Sequence, residues 1–278
     1  MVKAKQRLDL ILVEQGFFSA RDKAKAAIMA AQILVDGKMI DKAGTLVSME
    51  AEITVKSPPL PYVSRGGLKL AKAITSFGLD LKGKTVLDIG SSTGGFVDCA
   101  LQHGAAKVYA VDVGQGQLAW QLRQDPRVIV REKTNARYLS AEQINDELIQ
   151  LITIDVSFIS LAKILPQPLL LLENFGNLLA LIKPQFEAGR DKVGKKGVIR
   201  DPNVHLEVLE KILSEFKNLG CTVKGLDYSP ITGPQGNIEY LLWAVKGREE
   251  SSFLPDLAAI VSAAWDNRGL RTKDRGQK

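Results

Sequence analysis

The sequence predicts an α/β protein: a doubly wound, mostly parallel sheet with helices on both faces, preceded by a small α+β module. Three observations predict it. From residue 64 onward, short apolar strands alternate with amphipathic helical stretches, the pattern of a parallel sheet wound on both sides. The segment Thr85-Val-Leu-Asp-Ile-Gly-Ser-Ser-Thr-Gly-Gly-Phe96 reads as a buried strand, a glycine-rich turn and the start of a helix. Ahead of both, the proline-rich break Ser57-Pro-Pro-Leu-Pro61 marks a domain boundary.

Before the break, Leu8, Leu10, Ile11, Leu12 and Val13 place a helix over 7–15 that stops at Gly16. Ser19, with Asp22 three residues on, opens a second helix that runs through Ala24, Ala27 and Ile28 to about Ala31. Asp36-Gly37 between Ile33-Leu-Val35 and Met39-Ile40 is a strong hairpin signal. Glu52-Ile-Thr-Val55 is a further short strand. Arg7, Arg21, Lys23, Lys25 and Lys38 make this module basic. A solvated face explains such a charge run, and so does a phosphate-binding surface.

After the break, a helix runs from Ser64 to about Phe77. Strands are expected at 85–90, 107–113, 128–130, 151–155, 178–182, 221–228 and 238–245. Helices are expected near 96–103, 116–124, 164–172, 203–218 and 253–265. The last two strands follow one another closely, which implies an antiparallel edge. A long loop, 186–202, carries Gly189, Gly194 and Gly197 with Arg190, Lys192, Lys195, Lys196 and Arg200. An ordinary solvated loop explains it, and so does a loop at 187–200 that grips RNA phosphates; its length favours function.

Bulk properties exclude several classes. The 278 residues suffice for one large domain and one small one. A net charge of +6 is compatible with a polyanionic partner. Cys99 and Cys221 each lie in an apolar run and read as buried thiols of a reducing compartment. The N-terminus has no apolar signal region. The longest apolar stretch, 161–182, is broken by Lys163, Pro166, Pro168, Glu173 and Asn174, so it makes no clean spanning helix. A cytoplasmic protein is the expectation. His103 and His205 are isolated, and no Cys/His spacing suggests a metal.

The glycine turn after the first sheet strand is a candidate nucleoside site. Gly90, Gly94 and Gly95 are separated by Ser91-Ser92-Thr93. A dinucleotide fingerprint would have a glycine at Ser92, and a P-loop would have a following lysine. Asp112 ends the second strand, where a carboxylate accepts hydrogen bonds from ribose hydroxyls. A tight strand–helix turn with no ligand would use the same glycines. The pattern resembles motif I of S-adenosylmethionine-dependent methyltransferases. That resemblance implies a cofactor site at Asp88, Gly90, Ser91, Ser92, Thr93, Gly94, Gly95, Phe96, Asp112 and Asp155. Asn135 either caps the adenine edge or ends a strand.

Four charged residues stand where structure alone does not require them. Lys69 is on the helix after the break, Asp155 and Lys183 end adjoining strands, and Glu239 begins the last strand. Strand ends on this side of such a sheet face the ligand crevice. A salt-bridge network over the sheet edge explains any one of them; four converging point to chemistry. Methyl transfer to a ribose 2′-hydroxyl suits the set. An ammonium beside that weak nucleophile favours the developing alkoxide, and a lysine of lowered pKa serves as base. A neighbouring lysine would lower it by repulsion. On this reading Lys183 activates the hydroxyl, Asp155 orients it, and Lys69 and Glu239 complete the frame. Alignment and electrostatics supply most of the acceleration.

The module before the break resembles the S4 RNA-binding domain at Arg7-Leu-Asp9, Gly16, Ser19-Ala-Arg-Asp22, Ala24-Lys25, Ile28 and Val35-Asp-Gly-Lys38. The whole chain resembles the TlyA family of ribosomal RNA 2′-O-methyltransferases, also called haemolysin A. The matching stretches are Val63-Ser-Arg-Gly-Gly-Leu-Lys69, Ser92-Thr-Gly-Gly-Phe96, Asp112-Val-Gly-Gln-Gly-Gln-Leu118, Thr134-Asn-Ala-Arg137, Ser157-Phe-Ile-Ser-Leu161, Leu181-Ile-Lys-Pro-Gln-Phe186 and Gly233-Pro-Gln-Gly-Asn-Ile-Glu239. The linker Leu60-Pro-Tyr62 departs from the tryptophan-containing link of some relatives.

The resemblance implies an S4-like domain at 1–60, a linker at 61–64, a Rossmann-like class I methyltransferase domain with a mixed seven-stranded sheet at 65–268, and a frayed basic tail at 269–278. It implies a Lys69-Asp155-Lys183-Glu239 tetrad, S-adenosylmethionine as cofactor, and cytidine ribose of ribosomal RNA as substrate. RNA contacts are then expected from Arg7, Arg21, Lys23, Lys25, Lys38, Arg65, Arg190, Lys195 and Lys196. Phe158 either lines the target pocket, stacks on a base or fills the core. Two other classes compete: a non-catalytic RNA-binding or assembly factor, and a membrane-lytic protein, which the absence of a spanning or strongly amphipathic cationic helix disfavours.

Overall fold

The computed structural model describes residues 5–29, 32–55, 60–194, 197–233, 235–247 and 253–273. The chain divides into two compact units, Met1–Pro61 and Tyr62–Lys278.

In the first unit, β1 (Lys5–Arg7) leads into α1 (Leu8–Glu14), followed by α2 (Arg21–Met29), β2 (Ile33–Val35), β3 (Lys38–Ile40), β4 (Leu46–Ser48) and β5 (Ile53–Val55). Leu8, Ile11 and Leu12 bury one face of α1 against Ala24, Ala27 and Ile28 of α2, the spacing a helix stripe requires. β2 pairs antiparallel with β3 and β5. Asp36 and Gly37 both take positive φ, 50° and 74°, as a two-residue hairpin turn demands. The sequence did not foretell the small β1–β4 pair: three-residue strands carry too little pattern.

The second unit opens with α3 (Gly66–Phe77), β6 (Thr85–Ile89), α4 (Gly95–Gln102), β7 (Lys107–Val111), α5 (Trp120–Arg123) and β8 (Val128–Arg131). It continues through β9 (Ile149–Ile154), α6 (Leu161–Ile164), α7 (Pro166–Leu171), β10 (Leu172–Ile182), α8 (Pro184–Glu187), α9 (Pro202–Asn218), β11 (Cys221–Tyr228), β12 (Tyr240–Lys246) and α10 (Leu257–Lys273). The seven-stranded sheet has the order β11-β12-β10-β9-β6-β7-β8. The five strands from β10 to β8 pair in parallel; β12 runs antiparallel to both its neighbours. The order reverses between β6 and β9, the place where ligands bind such sheets.

The strands are apolar because both faces are covered. Leu87, Ile89, Val111, Ile152 and Ile154 point into one core; Val86, Val108, Ala110, Leu151 and Leu179 point into the other. Four expectations shift. The helix near 116–124 shrinks to α5, because Gly114 N donates to Asp112 Oδ1 at 2.7 Å and Gly116 N to Glu132 Oε1 at 2.8 Å. β10 starts early at Leu172 and carries an irregularity before Asn177, with Phe175 at φ 61°. α10 reaches Lys273 rather than 265, into the tail expected to fray; residues 274–278 lie outside the described residues. Finally, Tyr62, Val63 and Ser64 pack within the second unit: Val63 N donates to Asp98 Oδ2 at 2.8 Å, and Ser64 O accepts from Gly67 N at 3.2 Å.

Candidate active site

Three glycines, Gly67, Gly90 and Gly95, set the close approaches around the site. A Cβ on Gly95 would stand 2.3 Å from Ser64 Oγ and 2.7 Å from Gly67 N, and one on Gly67 would stand 2.3 Å from the Tyr62 ring. Only glycine permits such backbone approach. It sets the N-terminal turns of α3 and α4 together and brings Lys69, on the buried face of α3, over the turn after β6. Gly90 takes φ 83°, and a Cβ there would lie 2.5 Å from Asp155 O. The turn is held by Gly90 N and Ser91 N, which donate to Val111 O at 2.9 and 3.2 Å.

The four charged residues meet. Lys69 Nζ lies 2.7 Å from Glu239 Oε2 and 3.2 Å from Asp155 Oδ2. Lys183 Nζ lies 2.5 Å from Asp155 Oδ1 and donates to Ser157 Oγ at 3.1 Å. Lys69, Lys183 and Glu239 are buried. Asp155 thus stands between two ammonium groups. Burial disfavours its charge, but Lys69 and Lys183 outweigh burial and hold its pKa below the usual carboxylate range. Burial likewise opposes the charge of Lys69, yet Asp155 and Glu239 raise its pKa. The repulsion expected between the lysines is therefore offset at Lys69, which stays charged. Gly233 makes room for Glu239: a Cβ there would be 2.7 Å from Oε1.

Two cavities open at this sheet edge. One, of about 350 Å³, is lined by the tetrad, the turn residues Gly90, Ser91, Ser92, Thr93, Gly95 and Phe96, and by Ser64, Arg65 and the 231–233 segment. The other, of about 470 Å³, has Asp112, Gln117 and Asn135 among apolar walls of Val111, Val113, Val156, Ile159 and Ile164. Asp112 Oδ2 accepts from Ser92 N at 2.8 Å, and its carboxylate retains lone pairs for a diol. Asn135 lines this cavity, and its Oδ1 accepts from Arg137 N at 3.1 Å and caps a 3-10 turn.

Two expected cofactor residues line neither cavity. Gly94 turns its missing Cβ toward Leu118 and Leu122, 2.8 and 2.3 Å away, so it serves packing and the φ 95° of the turn. Asp88 is buried in β6 and accepts from Thr153 Oγ1 at 2.6 Å. Burial is the main reason its pKa rises to about 7.

Among the expected RNA contacts, Arg7 and Arg21 both clasp the buried Asp9, at 3.0 and 2.8 Å. Their side chains are half exposed and serve the fold of the first unit as well as any ligand. Asp9 is the residue that sequence reasoning passed over there; its carboxyl is held down to about 2, first by Arg7. Lys25 pairs with Asp22 at 3.2 Å, while Lys23 and Lys38 are more open to solvent. Arg65 is exposed on the rim of the tetrad cavity. Arg190 begins a 3-10 turn; Lys195 and Lys196 lie outside the described residues. The base of their loop is fixed by Asn237, which donates to Gly197 O at 2.8 Å and accepts from Ile199 N at 3.1 Å.

Phe158 is not a core residue. It is 91% exposed, sits at φ 66°, lines the larger cavity and packs its ring 5.0 Å from that of Phe186. A phenylalanine both exposed and in the left-handed region is unusual. Among the described residues no helix is long and apolar enough to cross a membrane.

Comparison with known proteins agrees with this geometry. Residues 62–246 match the FtsJ-like methyltransferase family and residues 6–53 the S4 domain. The chain is 52% identical over 252 residues to YqxC of Bacillus subtilis (strain 168), covering 90% of each. It is 42% identical over 238 residues to the 16S/23S rRNA (cytidine-2′-O)-methyltransferase TlyA of Mycobacterium tuberculosis, covering 85% of this chain and 88% of that one. A solved structure from Streptococcus thermophilus that bears the name hemolysin is 41% identical, with a TM-score of 0.77, and the match covers 98% of this chain and 100% of that one. The turn after β6, the tetrad over it and the basic unit in front thus have one common setting: the chain belongs to the FtsJ-like methyltransferase family and carries an S4 domain at its N-terminus.

Proposed function

We propose that the protein methylates a ribose 2′-hydroxyl of ribosomal RNA, with cytidine as the target nucleoside. The observation that carries this reading is the Lys69–Asp155–Lys183 arrangement, with Glu239 on Lys69, on the wall of a cavity that adjoins a second one lined by Asp112, Asn135 and apolar side chains. The name borne by the Mycobacterium tuberculosis relative supports the substrate.

The residues present fit S-adenosylmethionine. Gly90 and Gly95 leave a backbone cradle that a Cβ would fill. Asp112 would take the ribose diol, Asn135 the adenine edge, and Val113, Val156 and Ile159 its faces. When bound, this cofactor supplies an electrophilic methyl group on a sulfonium. The protein's own part is alignment and charge. Asp155 holds two ammonium groups at fixed positions, so no reorganisation is needed as the hydroxyl gains negative charge. Lys183, next to solvent-facing Ser157, is the group that meets this oxygen; Glu239 holds Lys69, and Lys69 holds Asp155. Exposed Phe158 offers a stacking face to the target base. The S4 unit and the basic loop at 186–202 grip phosphates, which positions RNA without reading its sequence. This work belongs to the cytoplasm, where ribosomes assemble.

The test is methyl transfer from a labelled donor to purified ribosomal subunits and to naked RNA, with mapping of the modified ribose. Lys183→Ala should lower kcat by roughly a hundred-fold or more while the donor still binds. Absence of ribose methylation on either substrate, or an undiminished rate in the variant, sinks the reading and favours a non-catalytic RNA-binding role.

A further inference from the structure

The two cavities have different outer walls but share Gly90, Ser92, Asp155 and Ser157. Gly90 and Ser92 belong to the turn and Asp155 to the tetrad. Ser157 lines both cavities as well, and Lys183 Nζ donates to its hydroxyl at 3.1 Å. The two partners of Lys183 differ in kind. A carboxylate only accepts, so Asp155 holds the charged form; a hydroxyl accepts from an ammonium and donates to a neutral amine, so Ser157 holds either form.

The loop bearing Ser157 is itself pinned to the turn bearing Lys183. Glu187, buried at the end of α8, accepts from Leu161 N at 2.8 Å, and Phe158 packs on Phe186. The contact therefore bridges the ends of β9 and β10 with support on its far side.

We propose that Ser157 is a positioning residue of the methyl transfer: its hydroxyl fixes Lys183 Nζ at the junction of the two cavities whether that nitrogen is charged or neutral. This rests on the reading of Lys183 as the group that activates the acceptor.

The experiment uses the full chain with Ser157→Ala, Ser157→Thr, Lys183→Ala and the double variant Ser157→Ala/Lys183→Ala. Steady-state kinetics are paired with calorimetry of S-adenosylhomocysteine binding and with mass-spectrometric rates of Lys183 acetylation by acetic anhydride. Ser157→Ala should lower kcat about ten-fold, with both KM values and S-adenosylhomocysteine affinity within about two-fold of wild type. Its Lys183 should acetylate about three-fold faster or more, because Nζ has lost a partner. Ser157→Thr should restore both rate and protection. On the Lys183→Ala background the serine change should cost nothing further, since residues acting through one group are not additive. An unchanged kcat, a loss confined to donor affinity, unchanged acetylation, or an equal loss on the Lys183→Ala background would overturn the proposal alone. Full activity of Lys183→Ala would overturn the reading of Lys183 and the proposal with it.

Discussion

Asp88 shows how burial sets the behaviour of a single residue. It lies beneath the turn with Thr153 as its hydrogen-bond donor, and burial raises its pKa to about 7. In the unfolded chain the group titrates near the ordinary value of about 3.9. The unfolded state therefore loses its proton first as pH rises. The stability linked to Asp88 is full below about pH 4 and falls as pH climbs toward 7, where the folded carboxyl also ionises. Asp88→Asn keeps the acceptor for Thr153 and cannot ionise. Urea denaturation of this variant should show a flatter stability profile than wild type between these pH values; an unchanged profile would mean that the carboxyl titrates normally. Asp9 works in the opposite direction. Its pKa is depressed by two arginines, so its contribution is present above the ordinary carboxylate range and is lost as pH falls toward 2.

At the scale of elements, the site exists because strands and helices approach more closely than side chains would allow. Between β6 and α4, Gly90 holds φ 83° with the backbone of Asp155 at its missing Cβ. Gly90→Ala therefore meets both backbone strain and a carbonyl that cannot move without shifting the tetrad. We expect it to destabilise the second unit by more than about 2 kcal/mol and to abolish S-adenosylhomocysteine binding, as read by denaturation and calorimetry. Wild-type binding in this variant would show that the turn is not the cofactor cradle. The alternation of apolar strands with helices made most elements legible beforehand. Where the structure departs from the pattern, a local interaction overrides it: the amides of Gly114 and Gly116 turn to carboxylates and shorten α5, and β10 extends across an irregularity between Leu172 and Asn177, with Phe175 in the left-handed region.

At the scale of the molecule, two units with separate cores share one chain. That of the first unit is small, built on Leu8, Ile11, Leu12, Phe18, Ile28 and Ile33, and domains of this size are marginal. The clasp of Arg7 and Arg21 on buried Asp9 accordingly matters to it more than a surface pair would. The second unit has its own two-sided core and contains both cavities and all four tetrad residues. A chain starting at Tyr62 should therefore fold and bind S-adenosylhomocysteine within about three-fold of the full protein, yet methylate ribosomal RNA at least about ten-fold more slowly if the S4 unit makes the phosphate contacts proposed for it. Equal rates for the two would remove the S4 unit from substrate capture.

The sequence by itself determined the order of the larger elements, the antiparallel edge, the position of the glycine turn and the four charged residues. Each is a local or strictly periodic property: apolar strands, a glycine run, a charge at a strand end. What the sequence could not convey was which of two neighbours points where. It did not separate Gly94, which packs on Leu118 and Leu122, from Gly95, which faces the cavity. It left Phe158 between core and surface and gave Ser157 no role. These were decided by tertiary structure, because distance across strand ends depends on the stagger of β9, β10 and β12 and on how near α3 can come to α4. Residues 69, 155, 183 and 239 are far apart along the chain, and only the folded sheet makes them one site.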